Sequence, residues 1–348
     1  MSKSLNRRNL ILNFIKENPS CSSKEIHGGI NEELGYATVK RILQNLLSEN
    51  LIDISGKGKG TKYTISQAYD LLRSIDVEHY FQKEIDERKI RGGFNFTLIN
   101  ETLRRVSIFT ETELNRLLEL QNQYKLKSSQ LSINEYNNAL ERLSIDLSWK
   151  SSQIEGNTYS LLETEKLIKE KETAAGKTKD EATMLLNHKK VLDFIIANPT
   201  YASPISISTI ENIHSILIEE LNVDRNLRKH KVGITGTNYK PLDNEFQIRE
   251  ALEEMCFVIN NEKNAFGKAL LTLVLISYIQ PFSDGNKRTA RIVSNSILIN
   301  NNYCPLSFRT VSSIDYKKAM LIFYEQNNIR PMKEIFINQF EFAVETYF

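Results

Sequence analysis

The sequence predicts a mainly α-helical chain: a small N-terminal domain of three helices closed by a β-hairpin, then a longer helical body with one hairpin of its own. Three observations carry this expectation. Apolar residues recur at helical spacing through most of 106–348. β-Branched residues flank a Gly/Lys turn at 51–66. VGITGTNYKP, Val232–Pro241, breaks the helical period with Gly233 and Gly236 and reads as hairpin-like. At 348 residues the chain exceeds one typical domain, so it divides into 1–66, a helical connector 67–105, and a body 106–348 with its core at 205–310.

Within the first domain, Leu10, Ile11, Phe14 and Ile15 follow a helical period that Asn18-Pro19 ends. Ser22-Ser23-Lys24-Glu25 is a capping box that starts a second helix. Val39, Ile42, Leu43, Leu46 and Leu47 form the apolar stripe of a third, whose other face shows Tyr36, Thr38, Lys40, Arg41, Gln44 and Asn45. Leu51–Ile54, the turn Ser55–Gly60 and Thr61–Ser66 then describe a two-stranded wing. This stretch resembles a winged helix-turn-helix domain. Such a helix can enter a major groove, with Lys57, Lys59 and Lys62 on the wing neutralising phosphates, which makes DNA a candidate partner. The same surface also suits dimerisation or protein contact.

Charge agrees with a nucleic-acid contact confined to the head. The net charge is only +2, but residues 1–75 hold 11 Lys/Arg against 7 Asp/Glu, whereas the remainder holds 34 against 36. Apolar content of 41% and charged content of 25% are those of a globular chain. Cys21, Cys256 and Cys304 are far apart with no CxxC, which excludes a disulfide framework and a thiolate metal site and suits a reducing compartment. Leu10–Ile15 is too short for a signal peptide, and the longest apolar run, Ala269–Ile279, is too short for a bilayer. A cytoplasmic chain with no membrane partner is expected, and a homodimer is compatible with the reading.

The connector contains a Gly92-Gly93 break followed by a short apolar piece, Phe94–Ile99. Chemistry concentrates later. Ala269–Ile279 reads as a buried helix ended by Gln280-Pro281, because the residue before proline is pushed out of the helical region. The polar loop Phe282–Asn286 follows, then a helix from about Lys287 to Asn300. The first turn of that helix offers unpaired amides and a positive dipole end. Gly285 lets a ligand approach the backbone, Arg288 and Arg291 lie on one face, Lys287 adds a charge, and Asp284 supplies a hard oxygen for Mg²⁺. The expected ligand is a polyphosphate.

QPFSDGNKRTAR, Gln280–Arg291, resembles the Fic family motif HPFx(D/E)GN(G/K)RxxR at every fixed position except the first. SSQIEGN, Ser151–Asn157, resembles the family's (S/T)xxxE(G/N) inhibitory helix, and GITGTNYKPLDN resembles its β-hairpin flap. The resemblance spans about 106–348 and implies a helical Fic fold with a flap, and transfer of AMP from ATP to a hydroxyl side chain of a target protein. Carried over, Asp284 holds Mg²⁺, the amides of Gly285–Lys287 and the Asn286 side chain cradle the α-phosphate, and Arg288 binds the β/γ-phosphates. Arg291 takes the γ-phosphate or Glu155, with Ser151 in the other defining position of the inhibitory motif. Phe282 packs the loop into the core, and Ile234, Thr235, Gly236 and Tyr239 of the flap hold the target.

Gln280 stands where the family has its catalytic histidine. A neutral amide can orient a hydroxyl but cannot take its proton, and loss of a general base costs roughly 10²–10⁴-fold in rate. None of His27, His79, His188, His214 and His230 is expected to substitute. Lys287, in place of the commoner glycine, also occurs in death-on-curing-like toxins that transfer phosphate. Three readings therefore stand: a weak, autoinhibited AMP transferase using ATP and Mg²⁺; a non-catalytic nucleotide-binding fold serving a DNA-binding transcriptional regulator; and a phosphotransferase. The target protein is not readable.

Overall fold

The structure is a computed structural model that describes residues 3–30 and 34–348. The N-terminal domain comprises α1 (Lys3–Glu17), α2 (Ser23–Gly29), α3 (Tyr36–Ser48), β1 (Ile52–Ser55) and β2 (Lys62–Ile65). The strands pair antiparallel with Ile52 opposite Ile65 and Ser55 opposite Lys62, and Gly58–Gly60 forms a 3₁₀ turn between them. This is the winged helix that the sequence suggested. Ile11, Ile15, Ile26, Val39, Leu43 and Leu46 fill its core.

The connector is less regular than a helical linker. It holds two short helices, α4 (Tyr69–Leu72) and α5 (Val77–Phe81), a 3₁₀ turn at Ile85–Glu87, a π turn at Leu98–Thr102 and α6 (Leu103–Arg105). Its stability comes from docking, since helices this short do not persist alone. Asn328 donates from Nδ2 to the carbonyls of Asp70 and Arg73, both at 2.9 Å, and the Ile329 amide donates to Leu71 O. Farther on, the Asn95 amide donates to the Tyr278 hydroxyl at 2.9 Å, while Phe94 stacks on the Tyr278 ring.

The body is built from α7 (Glu111–Gln130), α8 (Ile133–Ile154), α9 (Leu161–Glu170), α10 (Lys179–Ala197), α11 (Ile207–Leu217), α12 (Glu245–Asn261), α13 (Ala265–Ile279), α14 (Asn286–Asn300), α15 (Ser313–Gln326) and α16 (Arg330–Thr346). Local sequence starts many of these. Thr110/Glu113, Ser132/Glu135, Ser160/Glu163 and Thr178/Glu181 all form reciprocal capping boxes, each satisfying two orphan amides. α13 is the hub. It is buried along nearly its whole length and packs against α12, α14, α15 and α16. No helix among the described residues is long and apolar enough to cross a membrane.

One expectation fails. Val232–Pro241 forms no strands: it is irregular chain with a turn at Thr235-Gly236, and no backbone hydrogen bond joins its arms among the described residues. Gly236 takes φ +88°, which the turn requires, but the loop is held by arginines from outside it rather than by a ladder: Arg228 bonds the carbonyls of His230 and Leu242, and Arg88 bonds Gly236 O.

Asn328→Ala should destabilise the protein by about 1–3 kcal/mol, because it orphans two carbonyls of the connector. Urea unfolding measures this. A loss under about 0.5 kcal/mol would mean the connector is not docked through this residue.

Candidate active site

α13 ends at Gln280, which adopts the left-handed conformation at φ 53°, and Pro281 prevents any continuation. The loop then folds around one side chain. Asn286 Oδ1 accepts from the Phe282 amide at 2.8 Å, and its Nδ2 donates to Phe282 O at 2.8 Å and to Gln280 Oε1 at 3.0 Å. Gln280 Nε2 in turn donates to Ser277 O at 2.6 Å. Both amides are thus used to brace the loop. The Asn286 side chain is not free to cradle a phosphate, and Gln280 keeps one N–H of Nε2 and one lone pair of Oε1 for a ligand.

Two unanticipated side chains support the loop from outside. His214, fully buried on α11, stacks on Phe282 with ring centroids 3.6 Å apart, and its Nδ1 lies 3.2 Å from Thr289 Oγ1. A Cβ on Gly285 would sit 3.2 Å from that imidazole, and Gly285 has φ +78°. Only glycine fits there. Arg228, also buried, donates from Nε to Gln280 O at 2.6 Å, from Nη1 to His230 O at 2.8 Å and from Nη2 to Leu242 O at 2.6 Å. It fastens both ends of the 231–241 loop to the turn at Gln280. The apolar spacing Ile210, Ile213, Leu217 already places His214 on the buried face of its helix. No comparable pattern marks Arg228.

α14 begins at Gly285 without a side-chain cap, unlike α7 to α13 and α15. Its first hydrogen bond is Thr289 N to Gly285 O, so the amides before it remain available to an anion. They open into a cavity of about 350 Å³. Ser283–Lys287 line one wall, Val232–Thr235 another, and Lys317, Met320, Leu321 and Tyr324 of α15 a third. The volume is that of a small-ligand pocket.

Glu155 sits at the C-cap of α8, on the lip of this cavity. Its Oε1 accepts from Arg291 Nη2 at 2.9 Å and its Oε2 from Lys287 Nζ at 3.0 Å. Arg291 is wholly buried. Its Nε donates to Ser151 Oγ at 2.8 Å, its Nη2 to Ser151 O at 3.0 Å, and its guanidinium lies over the Tyr316 ring. Burial alone would raise the Glu155 carboxyl, yet Arg291 and Lys287 hold it down to about 2. The Lys287 contact was not foreseen.

Arg288 lies apart from the cavity. It is 1% exposed and does not line the cavity. Its Nη2 donates to Asp284 Oδ2 at 3.0 Å, whereas Nε and Nη1 have no hydrogen-bond partner. Arg291 is likewise behind the cavity wall, so phosphate contacts in this conformation fall to the α14 amides and Lys287. Asp284, two-thirds exposed at the mouth, suits a Mg²⁺ ion carried by a polyphosphate, which needs only one or two carboxylates. No group of three His, Cys, Asp or Glu side chains among the described residues forms a protein cage. In the flap, Ile234 and Thr235 face the cavity and Gly236 forms the turn. Tyr239 does not face a target: it is buried, stacks on Tyr278 and Tyr324, and its hydroxyl lies 3.3 Å from Tyr278 O.

The comparisons with known proteins agree with this architecture. Residues 204–298 match the model of the Fic/DOC family. The chain carries a Fic/DOC domain. Residues 7–119, covering the winged helix and connector, match the penicillinase repressor model. A protein adenylyltransferase Fic of Aedes aegypti is 24% identical over 304 residues, 82% of this chain and 58% of that protein. The Nematostella vectensis counterpart is 25% identical over 184 residues, 48% and 40% of the two chains. The chain thus spans about half the length of the curated relatives it matches. Among solved structures, Fic-1 of C. elegans superposes with a TM-score of 0.58 at 20% identity, covering 68% of this chain and 72% of that one. A Fic family protein of Desulfovibrio desulfuricans gives 0.58 at 18%, covering 68% and 74%. The likeness to these structures is one of fold.

In the N-terminal domain, Lys40, Arg41, Gln44, Lys57 and Lys59 are exposed and Thr38 is half-buried. Tyr36 is tied to α2 through a 2.8 Å bond between its hydroxyl and Ser23 Oγ, and Lys62 is paired with Glu25 at 3.0 Å. Both are engaged in the domain's own structure.

Acid should loosen the Fic loop. Burial, the largest influence, pushes the His214 imidazole down from 6.5 to about 4. Folding therefore favours the neutral ring. Its stabilising effect is complete above pH 6.5 and is lost as pH falls toward 4, up to about 3 kcal/mol. His188, wholly buried with neither ring nitrogen hydrogen-bonded, adds an effect of the same sign. Melting temperatures across this range should fall less steeply for His214→Leu; an unchanged slope would show that another group titrates.

Proposed function

We propose that the chain transfers AMP from ATP to a hydroxyl side chain of a target protein, slowly and under restraint by its own Glu155. The observation that carries this reading is the Glu155 carboxylate, clamped between Lys287 and Arg291 beside an uncapped helix start that opens into a ligand-sized cavity. A carboxylate in that position stands in for a phosphate. Displacing it would give the nucleotide two cations and the α14 amides at once. The acceptor oxygen attacks the α-phosphorus, the bond to the bridging oxygen breaks, pyrophosphate leaves, and the acceptor proton passes to solvent. Mg²⁺ at Asp284 would supply neutralisation of the phosphate charge.

Gln280 sets the speed. Its amide cannot hold the departing proton, so positioning and electrostatics act without a general base. Phosphate transfer is less favoured, because Lys287, its sole support, is occupied with Glu155 and the curated relatives are named adenylyltransferases.

Glu155→Gly should tighten ATP binding about 5–100-fold, the range of a typical coupling between competing ligands. Adding Gln280→His should raise transfer of α-label by roughly 10²–10⁴-fold. Calorimetry and labelled ATP check the two steps separately. Transfer of γ-label alone would overturn the reading in favour of the phosphotransferase, and no labelling by any form that binds ATP would leave a nucleotide sensor.

The match to the penicillinase repressor model, together with exposed Lys57 and Lys59 on the wing, supports DNA binding by the N-terminal domain. Replacing either lysine by alanine should weaken binding across sequences and reduce the slope of log K against log salt by about 1. An unaltered slope would remove the wing from the interface.

A further inference from the structure

A loop without a strand ladder needs another source of order, and two arginines supply it. Arg228 holds the ends of the 231–241 loop, as described above. The tip is held by Arg88, from the connector. Its Nη2 donates to Gly236 O at 2.8 Å, and its Nη1 pairs with Glu325 Oε1 at 3.0 Å. Both side chains are almost fully buried, at 4% and 0% exposure, and the guanidinium lies over the Phe81 ring. The other oxygen of Glu325 accepts from the Tyr80 hydroxyl, and the Arg91 amide donates to Glu325 O. Near the tip, Asn238 Nδ2 donates to Asp86 Oδ1 at 2.7 Å. Tyr80, Asp86, Arg88 and Arg91 all belong to the segment that links the winged helix to the Fic domain.

On its other side the tip meets α15. Leu321 Cδ1 lies 3.6 Å from the point where a Cβ on Gly236 would stand, and Leu321 also lines the cavity. The loop is therefore held between the connector and a cavity-lining helix. Its stretch Val232–Ile234 has no backbone hydrogen-bond partner among the described residues, so it presents free amides and carbonyls beside the cavity. A protein acceptor would pair with such a stretch. Where its hydroxyl lands then depends on the height at which the tip is fixed.

We propose that Arg88 is a target-positioning residue: by bonding Gly236 O from the connector while anchored to Glu325, it sets the flap against the cavity and so places the acceptor hydroxyl, without touching nucleotide. This deepens the transfer reading and rests on it.

The test uses the full chain carrying Glu155→Gly and Gln280→His, with Arg88→Gln and Arg88→Lys added singly. Two acceptors compete for the same bound ATP. Water, giving free AMP, needs no flap; the chain's own hydroxyl side chains, giving protein-bound α-label, do. Arg88→Gln should lower the ratio of self-labelling to hydrolysis about tenfold, since small displacements of a bound acceptor are costly. ATP affinity should stay within about twofold of the parent, since Arg88 is not a cavity residue. Amide exchange of 232–241 should accelerate, and Arg88→Lys, which keeps the charge facing Glu325, should recover part of the ratio. An unchanged ratio, or exchange no faster than in the parent, overturns the proposal. If Arg88→Gln fails to fold, Asn238→Ala removes the exposed tie to Asp86 instead; a smaller fall in the same ratio is expected, and none would overturn it. Failure of the transfer reading is separately visible as bound ATP with no α-label in any form, whatever the exchange of 232–241.

Discussion

An uncapped helix start is useful only if something other than a cap holds it still, and here that task falls to the Asn286 side chain. Its amide closes the loop from Phe282 and reaches Gln280, converting six residues between two buried helices into a rigid turn. The first amides of α14 find no side-chain cap, and the Asn286 carbonyl oxygen is spent on the loop itself. Phe282 under His214 supplies the floor. Everything at the mouth of the cavity, from the placement of Lys287 to the exposure of Asp284, follows from this closure.

The same economy explains why the position of the missing histidine is not simply empty. A glutamine donates to Ser277 O and accepts from Asn286 with the two ends of one amide, so it stabilises the turn that it leaves without a base. Substitution at 280 therefore acts on two quantities, proton transfer and loop rigidity. Their effects need not run in parallel, since the first depends on the acidity of a side chain and the second on hydrogen-bond geometry.

Much of this was legible in the sequence because it was local. The capping box at Ser22–Glu25, the proline after Gln280, the wing and the twelve-residue loop–helix motif are contiguous, and their physics is decided within a few residues. What escaped was set by contacts distant in sequence. Lys287 meets Glu155 across 132 positions and Arg88 meets Gly236 across 148. Arg228 bridges a turn and a loop that no spacing connects. The flap failed as a hairpin for a related reason. Gly233 and Gly236 announce a turn, and Val232, Ile234, Thr237 and Tyr239 suit strands, but arginines distant in sequence hold the loop and its arms do not pair. The burial of Arg288 was not legible, because helical spacing shows which residues share a face, not whether that face meets a cavity or a neighbouring helix.

The charge arrangement around Glu155 also bears on why restraint is built as a clamp rather than a plug. A buried arginine paired with a single carboxylate gains little net stability, since both groups lose their hydration. Arg291 is nevertheless fully buried, and Ser151 satisfies part of its fork whether or not Glu155 is present. Part of the cost of desolvating the guanidinium is thus met by the fold, although Nη1 has no hydrogen-bond partner, and Glu155, still partly exposed at the lip, is the more readily exchanged partner. Lys287, also partly exposed, sits on the solvent side of the carboxylate. An incoming phosphate can therefore compete first for the lysine and then for the arginine, replacing one anion with another of greater charge while the cations stay in place. On the proposed reading, restraint would be graded by competition between anions, with no movement required of the helices that carry the cations.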